Sequence, residues 1–130
     1  MFKGSCCCGR VRFSISRPPK VAGACHCSRC RKLGATPFVM VFAESLEILS
    51  GVEAITRYPP KAPFRYVRSF CSECGTSLGE MMSPGSLIPI PLNCFDDDLE
   101  IPLTFHEHVA AKPHWEFIPP GPKQFDGDPM

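Results

Sequence analysis

The stretch Cys25-His26-Cys27-Ser28-Arg29-Cys30 carries three cysteines in a C-x-C-x-x-C pattern. Two smaller groups lie on either side of it, a C-x-C pair at Cys6 and Cys8 and a C-x-x-C-G sequence at Cys71 and Cys74. A structural zinc ion takes four protein ligands, whereas a catalytic zinc takes three and leaves one position for water or substrate. The seven clustered cysteines therefore predict one closed and one open zinc site.

Two other interpretations of these cysteines remain open at the level of spacing. The first is a disulfide framework, as in small secreted domains. Against it, the total of nine cysteines is odd, and a cysteine at position 6 leaves no room for a signal peptide before the domain. The second is a zinc ribbon or a rubredoxin-like iron site that combines Cys27 and Cys30 with Cys71 and Cys74. Spacing alone does not choose between these partitions.

The length and charge of the chain limit its class. A chain of 130 residues is expected to form one domain. Its 14 basic and 13 acidic residues nearly balance, which gives no electrostatic footprint for nucleic acid. The longest apolar run, residues 38–43, is far shorter than the ~20 residues that a membrane span requires. We therefore expect a cytoplasmic protein that binds neither nucleic acid nor membranes.

Fifteen prolines and ten glycines are scattered along the chain, which favours short strands joined by turns. Val11, Phe13 and Ile15 alternate with polar residues, as in a half-buried strand. Prolines inside the last predicted strand place it at a sheet edge. A helical turn over residues 31–33 should end at Gly34, and the chain from Pro113 onward should form an extended strap or a tail. The further predicted strands cover residues 38–42, 46–49, 54–58, 64–70 and 87–92.

The residues around the cysteines resemble a known family. The segment from Gly4 to Phe13 is similar to its opening G-S-C-x-C-G-x-V-x-F, and the segment from Cys25 to Lys32 to its C-H-C-x-x-C-R-K. Residues 70–75 match its F-C-x-x-C-G, and His106 with Trp115 resembles a closing H…W pair. The sequence thus resembles the glutathione-dependent formaldehyde-activating enzyme family, which also includes centromere protein V and its relatives.

The resemblance implies a partition of the cysteines and a fold. It implies an all-β fold of the zinc-bound β-tent type, made of small twisted antiparallel sheets. Residues 1–115 would form the zinc-binding domain, and residues 116–130 a proline-rich strap or tail of the same domain. The implied ligands are Cys6, Cys8, Cys71 and Cys74 for a structural zinc, and Cys25, Cys27 and Cys30 for a catalytic zinc.

The resemblance also implies a reaction. The expected activity is that of a carbon–sulfur lyase that condenses glutathione, as co-substrate, with formaldehyde or a related small carbonyl to give S-hydroxymethylglutathione. An open zinc site suits this chemistry, because zinc favours the thiolate form of a bound thiol. The alternative is a zinc-stabilised binding module without catalytic activity. An intact central triplet favours the enzyme.

Three basic residues next to the triplet, Arg29, Arg31 and Lys32, are candidates to bind the carboxylates of glutathione. An ordinary solvated basic turn is the competing interpretation of the same residues. The partners predicted from the sequence are therefore a small thiol and a small aldehyde.

The remaining cysteines and histidines carry weaker expectations. Cys7 and Cys94 are expected to be spare buried thiols. His26 should point away from the metal ligands beside it. The sequence His106-Glu107-His108 has a spacing that metal sites use, but no further histidine nearby completes the pattern, which disfavours a metal site there.

Overall fold

The structure is a computed structural model that describes residues 1–34 and 36–129, and short strands dominate it. The strands are β1 Phe2–Ser5, β2 Arg12–Ile15, β3 Val21–Cys25, β4 Pro37–Phe42, β5 Leu46–Ser50, β6 Ile55–Tyr58, β7 Arg68–Cys71, β8 Ser77–Gly79, β9 Leu87–Pro91, β10 Leu103–Glu107 and β11 Lys123–Gln124. Within the described residues the only α-helix is α1, Ser28–Leu33. Single 3-10 turns occur at Ala43–Ser45, Val52–Ala54, Leu92–Cys94 and Val109–Ala111.

The strands form three small sheets, which confirms the predicted all-β class. The sheets have the orders β1-β2-β5, β11-β10-β3-β4-β9 and β6-β7-β8. Pairing is antiparallel except around β10, which runs parallel to both β3 and β11. The five-stranded sheet is therefore mixed, a detail that the expectation of antiparallel sheets did not include.

Most of the predicted strands are present, with one clear exception. The strand expected over residues 64–70 is reduced to β7, Arg68–Cys71. Its first residues alternate in polarity, but Phe64 and Tyr66 line a cleft instead of pairing in a sheet. The strand with internal prolines, β9, lies at the edge of its sheet as predicted.

The five-stranded sheet has two different faces. Val39 and Val41 of β4 and Ile88 and Ile90 of β9 point to one face and are almost completely buried in the hydrophobic core. The alternate residues of the same strands point to the opposite face, because side chains along a strand alternate. That second face lines the cleft described below.

The C-terminal segment lies alongside β10 and runs in the same direction. The amide of Phe125 donates to the His106 carbonyl at 2.8 Å, and the amide of His108 donates to the Gly127 carbonyl at 2.9 Å. These bonds extend the sheet by the short strand β11. The domain boundary expected at residue 115 stays a prediction, and the last residue of the expected strap, Met130, lies outside the described residues. No helix among the described residues is long and apolar enough to cross a membrane.

Close packing at Gly4 joins β1 to the core and predicts a stability effect. A methyl group there would overlap the Phe13 ring and lie 2.6 Å from the carbonyl oxygen of Cys94. We expect Gly4→Ala to lower the free energy of unfolding by about 1–3 kcal/mol, the usual cost of overpacking. Gly127→Ala is the matched control, since nothing lies within 4 Å of its Cβ position. Equal chemical denaturation midpoints for the two variants would contradict this packing.

Candidate metal and substrate site

Two turns, each closed by a glycine, carry the first and last cysteine pairs. The Gly9 amide donates to the Cys6 carbonyl at 2.9 Å, and the Gly75 amide donates to the Cys71 carbonyl at 2.8 Å. Gly9 and Gly75 have φ angles of 79° and 76°, in the left-handed region that glycine adopts without strain. Each turn thereby directs its two cysteine side chains toward the other turn.

The four sulfur atoms of these turns form one cluster. The Sγ atoms of Cys6, Cys8, Cys71 and Cys74 all lie within 4.8 Å of one another. The Cys6–Cys8 distance is 3.5 Å and the Cys8–Cys71 distance is 3.8 Å. A tetrahedral zinc with bonds of about 2.3 Å separates its sulfur ligands by about 3.8 Å. The cluster therefore has the donor set and the spacing of a closed metal site.

Local hydrogen bonds favour the thiolate in this cluster. The Thr76 hydroxyl lies 3.2 Å from the Cys74 sulfur. Hydrogen bonds from that hydroxyl and from the backbone amides of Thr76 and Cys8 lower the pKa of Cys74 to about 5. A thiolate is the form in which cysteine binds a metal.

The central triplet is a separate cluster. Cys25 ends β3, Cys27 caps α1 and Cys30 lies in the helix, and their sulfur atoms are within 4.8 Å of one another. The Cys27 sulfur also accepts a hydrogen bond from the Cys30 amide at 3.3 Å. Hydrogen bonds from the thiols of Cys25 and Cys30 lower the pKa of Cys27 to about 2. The hydrogen bond between Cys25 and Cys27 raises the pKa of Cys25. The three sulfur atoms thus share protons within the cluster, and a cation could replace these protons.

The structure does not bring the cysteines together as the zinc-ribbon alternative requires. Cys27 and Cys30 group with Cys25, while Cys71 and Cys74 group with the N-terminal pair. All nine cysteines are free thiols. Both clusters could hold a metal ion, and each has the sulfur donors that zinc prefers.

A cleft of about 690 Å³ opens beside the triplet. Of the three basic residues proposed for glutathione, Arg29 lines this cleft, whereas Arg31 and Lys32 are exposed on α1 and do not line it. The Arg29 guanidinium donates to the Tyr66 carbonyl at 2.8 Å and lies 4.9 Å from the centre of the Phe64 ring. Arg29 therefore holds the wall formed by residues 63–66 in addition to facing the cleft.

A buried ion pair in the cleft wall was not identified from the sequence. Arg68 donates to Glu80 at 3.0 Å, and both side chains are more than nine-tenths buried. Burial raises the pKa of Glu80, and the ion pair with Arg68 opposes this shift. The pairing follows from the β7–β8 register, in which Ser69 faces Gly79. A predicted strand at β8 would have indicated this ion pair, but a strand of three residues is too short to show an alternating pattern.

Glu107 and His108 also lie at the triplet, although the sequence pattern His106-Glu107-His108 disfavours a metal site there. Their ligand atoms are within 4.8 Å of the Cys25 sulfur. His108 adopts a left-handed conformation with φ 53°, and its Nε2 atom lies 2.8 Å from Asp128. Burial raises the pKa of Glu107, while a hydrogen bond with Cys25 acts in the opposite direction. The parallel pairing of β10 with β3 brings this group to the site.

The neighbouring histidines point to the opposite face of the sheet. His26 Nε2 and His106 Nδ1 are 2.9 Å apart and both side chains are buried. Burial lowers the pKa of each ring, so the pair is neutral near pH 7. This agrees with the expectation that His26 faces away from the metal ligands. Trp115, the other half of the H…W pair, is 72% exposed.

The two cysteines outside the clusters differ from each other. Cys94 is buried, as expected, and donates to the Ser77 carbonyl at 2.9 Å. Burial raises its pKa to about 12. The expectation that Cys7 is buried was wrong, because its turn lies at the surface and the side chain is exposed.

Comparison with known proteins agrees with this architecture. A curated relative from Schizosaccharomyces pombe, named as an uncharacterized lyase, is 30% identical over 78 residues, which make up 59% of this chain and 55% of the relative. The chain thus spans about half the length of this curated relative. A crystal structure of a Rhodobacter sphaeroides protein superposes with a TM-score of 0.59 at 24% identity, covering 72% of this chain and 87% of the other, which shows a shared fold.

The family comparison covers most of the chain. The model of the family described as glutathione-dependent formaldehyde-activating enzyme matches residues 1–112. This range contains both cysteine clusters and most of the residues that line the cleft. The chain therefore belongs to the glutathione-dependent formaldehyde-activating enzyme family.

Proposed function

We propose that this protein is a zinc-dependent carbon–sulfur lyase that condenses glutathione with formaldehyde or a related small carbonyl. The observation that carries the proposal is the position of the triplet, Cys25, Cys27 and Cys30, at one end of a large cleft and separate from the four-cysteine cluster. The family match and the lyase name of the yeast relative support the same reaction type.

The two clusters would have different roles. Cys6, Cys8, Cys71 and Cys74 would hold a structural zinc, and the triplet would hold a second zinc with one open position. When bound there, zinc would supply a site at which an incoming thiol loses its proton and becomes a nucleophile. Free thiols and glutathione both require a reducing compartment, so we expect the protein to act in the cytoplasm.

The side chains of the cleft would bind and orient the two substrates. Arg29 and Arg65 are cations in the cleft lining and suit the carboxylates of glutathione, whereas Arg68 is paired with Glu80. Of the three basic residues predicted to bind the glutathione carboxylates, only Arg29 stays a candidate, because Arg31 and Lys32 do not line the cleft. Glu107 lies beside Cys25, where a carboxyl group can exchange a proton with the carbonyl oxygen of the substrate.

The first prediction from the proposed function concerns metal content. The purified protein should carry close to two zinc ions per chain, because its described residues contain two separate all-cysteine clusters. Elemental analysis should be combined with alkylation by iodoacetamide in the presence of added zinc. Cys7 should be the only cysteine labelled, since Cys94 is buried. One zinc per chain with only four protected cysteines would contradict the two-site assignment.

The second prediction separates the two clusters by mutation. Cys74→Ser should unfold the domain, because a structural zinc contributes on the order of 10 kcal/mol to folding. Cys27→Ser should keep the fold and lose one zinc, since none of the three triplet cysteines belongs to the main hydrophobic cluster. Circular dichroism and metal analysis on both variants provide the comparison. If Cys27→Ser is as unfolded as Cys74→Ser, the central metal is structural.

The third prediction tests the proposed function directly. Glutathione should bind the zinc-loaded protein through its sulfur, and S-methylglutathione should bind much less well because it cannot become a thiolate. Affinity for glutathione should fall as the pH is lowered, because protons compete for the thiolate. Calorimetry, together with the charge-transfer absorption of the cobalt-substituted protein, would measure both effects.

The competing function makes the opposite prediction for these ligands. A site that recognised only the carboxylates, through Arg29 or its neighbours, would bind glutathione and the S-methyl derivative equally. With binding established, the protein should speed formation of the hydroxymethyl adduct from formaldehyde. No spectral change and no rate increase at saturating glutathione would leave a zinc-stabilised binding module as the function.

A further inference from the structure

One wall of the cleft is an apolar sheet face, here called the floor. It consists of residues from three strands, all on the same side of the five-stranded sheet: Phe38, Met40, Pro89, Pro91 and Phe105. The register explains this grouping, because Phe38 pairs with Pro91 and Met40 pairs with Pro89. Directly paired residues of neighbouring strands share a face.

The floor lies on the opposite side of the sheet from the main hydrophobic cluster. The core lies on the other side of the same sheet, where Val39, Val41 and Ile90 are completely buried. Met40, Pro89 and Phe105 are only partly buried and face the cleft. Phe38 and Pro91 are buried beside them. The sheet therefore presents apolar residues on both sides, and the floor is open to the cleft at Met40, Pro89 and Phe105. Clefts lined in this way are typical of sites for small molecules with an apolar part.

The floor begins at the triplet. Phe105 pairs with Gly23, and the next residues on the same face are Glu107 and Cys25, which pair with each other. The Phe105 ring lies directly over Gly23, where any larger side chain would overlap it. Phe38 packs against Phe105 with ring centres 5.8 Å apart. A continuous apolar path thus leads from Cys25 across the sheet.

The cationic groups of the cleft lie away from the floor. Glu80 lies beside it, with its amide donating to the Pro89 carbonyl at 3.0 Å, but the Glu80 carboxylate is paired with Arg68. The arginines in its lining come from α1 and from residues 65–68, and none comes from the floor strands. The only charged side chain of these strands in the cleft is Glu107, next to Cys25. Glutathione is polar along its length, so its carboxylates suit the arginines and leave the floor free for a different group.

The size of the cleft points in the same direction. Formaldehyde is about as large as one water molecule, which takes up about 30 Å³. The cleft of about 690 Å³ lies well inside the range of about 300–1,000 Å³ that is typical of small-molecule sites, so it has room for a carbonyl substrate larger than formaldehyde.

We propose that the carbonyl substrate is an aldehyde with an apolar chain or ring that lies on the floor while its carbonyl carbon reaches the triplet. The inference rests on the proposed function and deepens it. The reaction adds a thiol across the C=O bond: a carbon–sulfur bond forms, the carbonyl π bond breaks and the thiol proton moves to the oxygen. The product is a hemithioacetal, and no oxidant or reductant is needed.

Binding of S-alkylglutathiones tests the floor without depending on turnover. These compounds resemble the adduct and cannot form a thiolate, so their affinities report on the alkyl group alone. From S-methyl to S-hexyl, affinity for the zinc-loaded protein should rise about fourfold per methylene, the value for transfer of one CH2 group out of water. Calorimetry on the wild-type protein measures this series.

A pair of variants assigns the effect to the floor. Met40→Gln should flatten the dependence on chain length, because it places a polar group in the middle of the floor. Leu49→Gln is the matched control, since Leu49 is 49% exposed on β5 and does not line the cleft. This control should keep the wild-type dependence. Equal affinity of the wild-type protein for all S-alkyl derivatives would overturn the proposal, as would an unchanged dependence in Met40→Gln.

Rates with two aldehydes separate this inference from the proposed function. Hexanal should be condensed with glutathione at a higher kcat/KM than formaldehyde. Catalysis with formaldehyde and none with hexanal would overturn the inference and leave the proposed function in place. No catalysis with either aldehyde would remove the proposed function and the substrate assignment together.

Discussion

The contact between two cysteine-containing turns is the constraint on which the rest of this structure depends. The turn at Cys6–Gly9 follows β1 and the turn at Cys71–Gly75 joins β7 to β8, so their contact connects two of the three sheets. The strands are two to six residues long, and sheets of this size have little independent stability. A cation bound by the four thiolates would stabilise the contact between these sheets. The triplet is a separate cluster, and its three cysteines line the cleft.

The five-stranded sheet links stability to chemistry through the alternation of its side chains. Val39 and Ile88 stabilise the domain on one face, while Phe38 and Met40 face the cleft on the other. A substitution on the first face would act on the free energy of unfolding. A substitution on the second would act mainly on ligand affinity. Because β3 ends in Cys25, both faces are fixed relative to the triplet.

Much of this arrangement could be predicted from the sequence, and the part that could not has a physical reason. The cysteine motifs and the strands around Val11–Ile15 and Phe38–Phe42 are local patterns of residue type, and the structure contains them. Glu80 and His108 reach the cleft only through strand pairing, between β7 and β8 and between β3 and β10. The parallel pairing of β3 and β10 joins residues about eighty positions apart, and no local pattern encodes it. For the same reason the burial of Cys7 was predicted wrongly: alternation gives the direction of a side chain, but not what lies there.

The Cys27 sulfur takes part in two interactions. It belongs to the triplet, and it accepts a hydrogen bond from the Cys30 amide at the start of α1. An anionic acceptor at a helix N-terminus is favoured by the helix dipole and by the charge of the hydrogen bond. A helix of six residues is too short to persist without such support. The hydrogen bonding of the α1 backbone therefore depends on the chemical state of the Cys27 sulfur. The NMR chemical shift of the Cys30 amide would report whether Cys27 is protonated, alkylated or bound to a cation.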